Sequence, residues 1–574
     1  MIRNKFAVLA CTVVSAGVAL VAAVVPAEAS SPPAGSAGPT GHWGKAHRVP
    51  GLGKLTTGNN SAVTTVSCRV RGDCAAGGFY SDNGDQAFLI SEHAGTWGTA
   101  VPAPKPDPTA TDSFINALSC STHGNCVAVG SFDMPGSPGR GFVVTQQGGH
   151  WGEPMVVSGT QILSTVTTVS CARDNNCVVG GFIFDGPTNG ASQPFVMEEV
   201  NGAWRSPQSP PGLDALKAVS GLVISVSCAS PGNCAATGTF RTSQQGASET
   251  FLVDESGGNW GKAQVVPEFS MLKETSSFPS AISCAAPGEC AVAGSYSDDP
   301  SDVHEQLFVA SEVHGTWGSP QQLPGTGQLN KANTAQVDAL TCAGAGTCVA
   351  VGFITDRRGF RHAIISDQKN GTWQPVLEPS ELKPFSEGDS VSCVSAGNCV
   401  VAGYAHFGEA TQAFTINEVN GTWGTGQLLP GITALNAGQL VQTAFAACAA
   451  PGKCFLGGDY VDAHGNVQAF LDEESPVTVT SLKLSAAKIR LGHEQTETLS
   501  VTVKPRTGGT PSGQVTISAG KARICVIKLK AGKGACNLGA NQLKAGTYQV
   551  TGSYGGSGTY SRSGSPAKKL TVVK

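Results

Sequence analysis

The stretch Val63-Thr-Thr-Val-Ser-Cys68-Arg-Val-Arg-Gly72-Asp-Cys74-Ala-Ala-Gly-Gly78 joins an apolar segment, two cysteines five residues apart and a run of small residues. Variants of this stretch occur eight times, at intervals of 51–58 residues. The eight pairs are Cys68/Cys74, Cys120/Cys126, Cys171/Cys177, Cys228/Cys234, Cys284/Cys290, Cys342/Cys348, Cys393/Cys399 and Cys448/Cys454. Self-similarity at such a period is typical of repeat architectures, so the chain predicts eight equivalent units.

Each unit reads as four short strands. The first ends at the first cysteine, the second begins at the second cysteine, and the third surrounds one large apolar residue. Those apolar residues are Phe88, Phe142, Phe195, Phe251, Phe308, Ile364, Phe414 and Phe470. The fourth strand carries a tryptophan: Trp43, Trp97, Trp151, Trp204, Trp260, Trp317, Trp373 or Trp423. A constant nine-residue spacing from the apolar residue to the tryptophan predicts packing across one hairpin. For the tryptophans, core packing between units is favoured over stacking on a ligand.

Glycines mark the turns of the unit. Asn-Gly or a related pair stands before the tryptophans, as at Asn201-Gly202, which is typical of a tight hairpin. Another glycine follows four residues after every second cysteine, as at Gly78 and Gly458. Because glycine weakens a strand, its recurrence predicts a close approach of neighbouring backbones where the sheets converge.

The order of the units predicts how the chain ends meet. Trp43 precedes the first cysteine pair, while no tryptophan follows Cys454. The N-terminal strand can therefore complete the last sheet. We predict an all-β fold, an eight-bladed β-propeller closed by the N-terminal strand, followed by an Ig-like β-sandwich. Seven blades would leave spare strands, and a solenoid would need capping repeats.

Composition predicts export. Residues 1–29 read as a signal peptide with an Ala27-Glu28-Ala29 cleavage site, and no later stretch is long and apolar enough to span a bilayer. We expect a flexible linker at 30–41, the propeller at 42–475 and the Ig-like domain at 476–574. The predicted location is extracellular, secreted or loosely associated with the cell wall.

Cysteine usage supports the same compartment. Of 19 cysteines, Cys11 falls in the signal peptide, sixteen fall in the repeats, and Cys525 and Cys536 remain. Nine local pairs predict nine disulfides. Zinc sites are a weaker interpretation because no pair has histidines at ligand spacing. We predict no metal and no cofactor.

The loops predict the working face. The connections inside the cysteine pair and before the tryptophan keep a constant length, whereas the other two vary, and variable loops on a rigid scaffold commonly bind ligands. On the variable face stand Asp82, Asp133, Asp185, Asp298, Asp356 and Asp462. These residues are candidates for a ring that binds a cation or sugar hydroxyls, although an Asx turn that ends each strand is the favoured interpretation.

A second recurrent polar position lies in the third strand. It is occupied by Glu92, Gln146, Glu199, Glu255, Glu312, Gln368, Glu418 and Glu474. Catalysis by carboxylates needs one uniquely placed pair, so eight copies favour a contact that stabilises the hairpin. No nucleophile or phosphate-binding motif is present, and we predict no catalytic residue.

The cysteine repeat ends at Pro476, and the composition of the chain changes after it. The last hundred residues contain alternating strands rich in Thr and Val. Thr510-Pro-Ser-Gly513 and Leu543-Lys-Ala-Gly546-Thr-Tyr548 resemble bacterial Ig-like repeat domains. From Val477 onward there are fifteen Lys or Arg and two Glu, which leaves 22 basic and 39 acidic residues before it. Two solvated surfaces of opposite sign would explain this, and so would a basic module that rests on an anionic cell-envelope polymer.

The repeats resemble the secreted, cysteine-paired propellers of high-GC Gram-positive bacteria, with their Ser-Cys-x5-Cys-x3-Gly pattern. That resemblance implies an architecture and no defined activity. We predict a non-enzymatic extracellular binding or adhesion protein, whose loop face takes a glycan or protein ligand, with no nucleic-acid partner. The alternative is a propeller glycoside hydrolase or polysaccharide lyase that acts on extracellular polysaccharide.

Overall fold

A computed structural model describes residues 41–574, apart from the short segments 58–59, 71–72, 94–95, 122–124, 158–162, 185–190, 244–245, 273–274, 300–303, 380, 383–384, 409, 506–509, 521 and 558–559. The predicted signal peptide and nearly all of the predicted linker lie outside the described residues. The described chain is an all-β protein of many antiparallel sheets. It comprises two compact units: one formed by Lys45–Ala449 and Phe455–Asp472, and one formed by Glu473–Lys574 with the short segments that end at Gly44 and Cys454.

The repeats form eight sheets, each with four consecutive antiparallel strands, as the sequence predicts. Sheet 1 contains Ser61–Val70, Asp73–Ser81, Asp85–His93 and Thr96–Trp97. Sheet 2 contains Asp112–Cys120, Cys126–Met134, Ser137–Gln147 and His150–Trp151. Sheet 3 contains Ser164–Arg173, Asn176–Phe184, Ser192–Val200 and Ala203–Trp204. Sheet 4 contains Ser220–Ser230, Asn233–Arg241, Glu249–Ser256 and Asn259–Trp260.

The remaining sheets repeat the pattern. Sheet 5 contains Ser276–Ala286, Glu289–Ser297, Glu305–Val313 and Thr316–Trp317. Sheet 6 contains Ala335–Gly344, Thr347–Thr355, Arg361–Lys369 and Thr372–Trp373. Sheet 7 contains Ser386–Ser395, Asn398–Phe407, Ala410–Val419 and Thr422–Trp423. Sheet 8 contains Val441–Ala450, Lys453–Val461, Val467–Pro476 and the N-terminal strand Gly41–Trp43.

Short elements complete the repeats. The two-residue strands Val101–Pro102, Met155–Val156, Gln264–Val265, Gln321–Gln322, Gln427–Leu428 and His47–Arg48 pair with third strands. Single helical turns occur at Leu52–Lys54, Phe269–Leu272, Thr326–Leu329 and Ile432–Leu435. In the described part of the chain, there is no helix with the length and apolarity that a membrane span needs.

The N-terminal strand pairs as predicted. Gly41–Trp43 runs antiparallel to the end of Val467–Pro476, with Trp43 opposite Glu474. Every tryptophan of the repeats likewise lies opposite the recurrent Glu or Gln of its own sheet, as Trp97 does opposite Glu92. In sheets 1–7 the tryptophan and the third-strand apolar residue pack in one apolar cluster, as predicted, although they are not direct partners in the register. Phe88 instead lies opposite Gly78, where no side chain obstructs its ring.

The disulfides form as predicted. In seven repeats the two cysteines are direct partners in the antiparallel register, which brings their Cα atoms 3.9–4.3 Å apart. The cysteines of the eighth repeat, Cys448 and Cys454, are also disulfide-bonded, and Cys525 is bonded to Cys536 in the C-terminal unit. The seven bridges are Cys68–Cys74, Cys120–Cys126, Cys171–Cys177, Cys228–Cys234, Cys284–Cys290, Cys342–Cys348 and Cys393–Cys399.

The glycine four residues after the second cysteine is required by a close backbone contact inside its own sheet. A Cβ atom on Gly238 would lie 2.0 Å from the carbonyl oxygen of Leu222, in the paired first strand. The same collision, at 1.9–2.2 Å, recurs at all eight equivalent glycines. It occurs at a β-bulge, where the register shifts between Val223 and Ser225. The expected approach between different sheets is thus wrong, because the crowding comes from the bulge.

The two turns of constant length bond to each other. The N–H of Gly258, before Trp260, donates to the carbonyl of Gly232 in the disulfide loop at 2.9 Å. Equivalent bonds join Gly315 to Gly288, Gly371 to Gly346, and Gly421 to Gly397. A residue inserted into either turn would break this bond, which explains why the lengths do not vary.

Consecutive sheets pack face to face through apolar side chains and recurrent serines. The N–H of Cys120 donates to the side-chain oxygen of Ser67 at 3.0 Å, which joins sheet 2 to sheet 1. The serine seven residues before the first cysteine makes a second recurrent contact, since the N–H of Ala87 donates to Ser113. Sheet 8 contacts sheet 1 in this second way, through Ala469 N–H and Ser61 at 3.1 Å.

The C-terminal unit contains a two-sheet sandwich around one apolar core, as predicted. One sheet is formed by Thr478–Leu484, Thr498–Pro505 and Lys533–Asn537. The other is formed by Lys488–Arg490, Lys568–Val573, Gly546–Tyr554, Gln514–Ala519, Ala522–Lys528 and the short Ser563–Gly564. A single turn of 3-10 helix spans Glu494–Thr496. Leu499, Val515, Val550 and Leu570 are fully buried between the sheets.

Candidate functional site

The aspartates predicted to form a ring are held inside their own loops. Asp356 accepts the N–H groups of Arg358 and Phe360 at 2.8 and 3.0 Å. Asp462 accepts those of His464 and Asn466 at 2.8 and 3.1 Å. This is the Asx-turn arrangement that the sequence left open. The bond from Phe360 N–H also lowers the pKa of Asp356.

The other predicted aspartates are similarly engaged. Asp133 accepts the N–H of Gly139 at 2.6 Å, Asp82 accepts the hydroxyl of Thr57, and Asp298 pairs with His304. Asp185 lies outside the described residues. Among the described side chains, no group of three or more His, Cys, Asp or Glu is arranged to hold a metal ion. Binding of a ligand by these aspartates stays a prediction.

A charged cluster joins sheets 6 and 7 on the variable-loop face. Arg361 begins the third strand of sheet 6, while Glu387 and Tyr404 lie opposite each other in the first two strands of sheet 7. The guanidinium of Arg361 pairs with Glu387 Oε2, and the Tyr404 hydroxyl donates to the same oxygen at 2.7 Å. The Arg361 side chain is 47% exposed and that of Glu387 is 12% exposed, so the pair opens towards solvent.

Arg361 is further positioned by an aromatic ring. Its guanidinium carbon lies 4.2 Å from the centroid of the Phe353 ring, a cation–π contact. Burial, and next the charge of Glu387, raise the pKa of Tyr404. The hydroxyl therefore stays protonated and donates a hydrogen bond to the carboxylate. The cluster therefore presents a fixed guanidinium edge beside a carboxylate.

An aromatic stack lies beside this cluster. The Phe385 ring packs between Phe360, with centroids 4.3 Å apart, and His406, with centroids 4.7 Å apart. Phe385 is 41% exposed and has a φ of 70°, which is rare for a bulky residue. Its N–H donates to the carbonyl of Arg361 at 2.7 Å and its carbonyl accepts the N–H of His406. These two bonds hold the ring at the surface, and unusual φ values of this kind concentrate at functional sites.

Two carboxyls lie beneath the cluster, one on the buried Asp338 and one on the half-buried Asp389. Asp338 is 3% exposed and accepts the Gln336 amide at 2.7 Å, and Asp389 accepts the N–H of Ala444 at 2.8 Å. Burial, and next the charge of Glu387, raise the pKa of both. They therefore favour the protonated form, and the charge of Arg361 is balanced chiefly by Glu387.

Sequence reasoning missed Asp338, Asp389, Glu387 and Phe385. One signal was available: the residue four positions before the first cysteine is Thr64, Asn116, Thr167, Ile224, Ser280, Asp338, Asp389 or Ala444. Only sheets 6 and 7 carry a carboxyl there. Because Glu387 and Phe385 occupy no conspicuous repeat position, only the fold brings them together.

The opposite, constant face carries buried carboxyls of another kind. Burial raises the pKa of Glu199, Glu255, Glu312 and Glu418 to about 7. Three tryptophans donate their indole N–H to the carboxyl of the preceding sheet: Trp260 to Glu198, Trp317 to Asp254 and Trp423 to Asp367. Trp97 packs edge-on against Phe455 of sheet 8, with centroids 5.4 Å apart. The tryptophans thus pack between sheets, as expected.

Clefts between sheets on the constant face are lined partly by disulfides, which the sequence did not lead us to expect. Cys290 lines a cleft of about 350 Å³ between sheets 4 and 5, and Cys348 lines one of about 340 Å³ between sheets 6 and 7. Both cysteines are buried, at 6% and 3% exposure, and are bonded to Cys284 and Cys342. A sulfur in a disulfide neither titrates nor acts as a thiolate ligand, so Cys290 and Cys348 contribute shape to these clefts and no acid–base chemistry.

The C-terminal unit is similar to a known protein family. Residues 482–573 match the family model described as Bacterial Ig-like domain (group 3). This region is a bacterial Ig-like domain. A comparison of the chain with curated proteins finds no match.

Similarity of the chain to solved structures is low in both sequence identity and TM-score. A protein of unknown function from Dyadobacter fermentans DSM 18053 is 10% identical, with a TM-score of 0.36 over 65% of this chain and 96% of that chain. A PL25 ulvan lyase is 9% identical, with a TM-score of 0.38 over 76% and 95%. The lectin of Aleuria aurantia is 10% identical, with a TM-score of 0.29 over 56% and 96%.

Proposed function

We propose that the eight sheets form an eight-bladed propeller closed by the strand Gly41–Trp43. Two contacts support the closure. The serine contact that joins sheet 1 to sheet 2 recurs between sheet 8 and sheet 1, through Ala469 and Ser61. A single apolar core also contains Val63 and Val66 of sheet 1 together with Phe455 of sheet 8. We place the propeller at 42–475 and the Ig-like domain at 476–574, and the paired cysteines support secretion.

On this scaffold, we propose an extracellular binding protein whose ligand is a glycan. The observation that carries the proposal is the exposed Phe385 ring, stacked between Phe360 and His406 beside the Arg361–Glu387 pair. An aromatic face covers the apolar side of a sugar ring, while a guanidinium and a carboxylate bond its hydroxyls. The Ig-like domain would space this surface or hold it at the cell envelope.

One observation favours an enzyme as the second candidate. Neighbouring carboxyls here lie in different environments: Glu387 forms an ion pair with Arg361, while burial raises the pKa of Asp389. Such a pair is the usual requirement for acid–base work on a glycosidic bond. A hydrolase or lyase would use Glu387 as the ionised member and Asp389 as the protonated member.

The two candidates are separated by measuring binding and turnover on one set of proteins. A glycan array is probed with the wild-type protein, Phe385→Ala and the control Phe278→Ala, which removes a ring of 39% exposure in sheet 5. The same proteins and Glu387→Gln are assayed for release of reducing ends from any polysaccharide that is bound.

We expect binding that is lost in Phe385→Ala and kept in Phe278→Ala, with no turnover. Equal loss in both variants would contradict the location of the site. Release of reducing ends that disappears in Glu387→Gln would replace the binding proposal by the enzymatic one.

A further inference from the structure

In the Ig-like domain, the described basic residues lie at the surface and the acidic residues lie in the interior. From Val477 onward the chain has fifteen Lys or Arg and only two acidic residues, Glu494 and Glu497. Thirteen of the basic residues are described, and all are exposed: Lys483, Lys488, Arg490, Lys504, Arg523, Lys528, Lys530, Lys533, Lys544, Arg562, Lys568, Lys569 and Lys574. Both glutamates are fully buried, at 0% exposure.

The two glutamates are engaged inside the domain. Glu494 accepts the N–H of Asn541 at 2.9 Å. Glu497 accepts the N–H of Ala486 at 2.7 Å and the hydroxyl of Ser485 at 2.8 Å. Among the described residues of the domain, no lysine or arginine forms an ion pair, so the positive charge is not neutralised by neighbouring side chains. Its surface is therefore cationic and hydroxylic.

The cations have an ordered arrangement on the larger sheet. Lys488 and Arg490 lie on one edge strand, and Arg523 and Lys528 lie on the strand at the other edge, with Lys569 next to the first edge. Their neighbours Ile489, Leu570 and Ile527 are buried, so the alternation of a strand turns Lys488, Arg490, Lys569 and Lys528 outward. Arg523 lies beside a register shift, opposite Ser518, and is exposed. We call these five residues the basic face.

Hydroxyl groups fill the space between the two edges. Thr571 and Thr547 are opposite each other and in hydrogen-bond contact, Thr551 is opposite Ser518, and Thr516 is opposite Ser553. Five strands about 4.8 Å apart separate the two cationic edges by roughly 19 Å. A chain laid across the sheet would meet cations, hydroxyls and cations again.

The side-chain chemistry restricts the partner. Eleven of the fifteen basic residues are lysine, which acts as a point charge and does not select a planar, bidentate acceptor. The domain has no Trp or Phe. Tyr554 and Tyr560 are 1% and 5% exposed, and Tyr548 is half-buried and packs against the core. Single-stranded nucleic acid is normally held by exposed aromatic rings that stack on its bases. The described residues of the domain include no fully exposed aromatic ring on which bases could stack.

We propose that the basic face of the Ig-like domain binds a linear, non-aromatic polyanion whose phosphodiester or carboxylate charges repeat along a chain. The attraction is electrostatic, and the hydroxyl rows add hydrogen bonds to the polymer. Release of counterions from the polymer makes such binding fall steeply with salt. The binding does not depend on the glycan site at Phe385.

The test uses the full chain and defined probes: sodium polyphosphate, sodium polygalacturonate, duplex DNA and neutral dextran. The variant Lys488→Gln/Arg490→Gln/Lys569→Gln neutralises one edge of the basic face. The matched control Lys54→Gln/Lys262→Gln/Lys331→Gln removes the same charge from exposed lysines of the repeat unit. A second variant, Arg523→Gln/Lys528→Gln, neutralises the other edge, so the result does not depend on one protein folding.

We expect the wild type to bind polyphosphate or polygalacturonate and not dextran. Neutralising three charges should lower the slope of log K against log salt by about two and weaken binding about tenfold at low salt. The control should change neither. Binding of only one probe identifies phosphate or carboxylate as the recognised group.

Three results would overturn the proposal. These are no binding of either polyanion at low salt, an equal loss in the control, and tighter binding of DNA than of both polymers at equal charge. Phe385→Ala should keep polyanion binding. The experiment therefore distinguishes an incorrect glycan site from an incorrect basic face.

Discussion

The side-chain oxygen of Ser67 in sheet 1 accepts a hydrogen bond from the backbone N–H of Cys120 in sheet 2, at 3.0 Å. Five further bonds of this kind join Cys171 to Ser119, Cys228 to Ser170, Cys284 to Ser227, Cys342 to Ser283, and Cys448 to Ser392. The Ser-Cys dipeptide therefore has two separate tasks. The cysteine bridges its own sheet, while the serine satisfies a buried N–H of the next sheet.

Removal of one such serine should cost stability. Ser170→Ala leaves the N–H of Cys228 buried without a partner, so we expect the free energy of unfolding to fall by about 1–3 kcal/mol. Urea denaturation would measure it. The control Ser206→Ala removes an exposed hydroxyl and should stay near the wild type. Equal midpoints for the two variants would show that the inter-sheet bond does not stabilise the fold.

At the strand glycines, we expect the stability of the protein to depend strongly on side-chain size. Gly238→Ala places a Cβ atom 2.0 Å from the Leu222 carbonyl oxygen, so the bulge must shift. We expect a loss of about 1–3 kcal/mol or more, as for other overpacked sites. At Gly344 a Cβ would meet nothing within 4 Å, so Gly344→Ala is the control. Thermal unfolding of both variants checks the difference, and a stable Gly238→Ala would contradict the bulge geometry.

Buried glutamates predict that stability falls as pH rises. Burial, together with Asp254 and Glu289, raises the pKa of Glu312 to about 7. The folded protein therefore binds this proton more tightly than the unfolded chain does. Its contribution is complete below about pH 4.5 and is lost as pH rises through about 7. Urea midpoints at about pH 5 and pH 8 should show the more stable protein at acidic pH.

Glu312→Gln should reduce that pH dependence. Glutamine already occupies this position in sheets 2 and 6, where Gln146 and Gln368 donate to serines of the preceding sheet at 2.7 and 2.8 Å. In sheet 5 the new amide faces Asp254, an available acceptor, so we expect a stabilised protein at pH 8. Glu381→Gln, at an exposed position, is the control. An unchanged pH profile in Glu312→Gln would refute the assignment.

Ring closure predicts equal effects at two serines. Ser61 accepts the N–H of Ala469 from sheet 8, and Ser113 accepts that of Ala87 from sheet 1. If the ring is closed in solution, Ser61→Ala and Ser113→Ala should each cost about 1–3 kcal/mol. Hydrogen exchange of the Ala469 and Ala87 amides measures this site by site. Fast exchange at Ala469 in the wild-type protein, with slow exchange at Ala87, would indicate an open ring.

The sequence predicted what is local and repeated. Cysteines five residues apart, Asn-Gly turns and a tryptophan at fixed spacing determine the disulfides, the hairpins and the pairing of Trp43 with the last sheet. These features follow from short-range geometry. Because they recur in eight internal copies, they can be predicted from the sequence. The same reasoning failed for Gly78, since a bulge changes which backbone atoms the glycine approaches without changing the spacing along the chain. It also paired Cys290 and Cys348 correctly without showing that they line clefts between sheets.

The tertiary structure alone decided which unrepeated side chains meet. Arg361, Glu387 and Tyr404 belong to different strands of two sheets, and Phe385 joins them through an unusual backbone conformation. The burial of Glu494 and Glu497, which leaves no acidic side chain at the surface of the Ig-like domain, is likewise a property of the packed domain. Proximity and burial depend on how sheets stack, and no spacing along the chain encodes them.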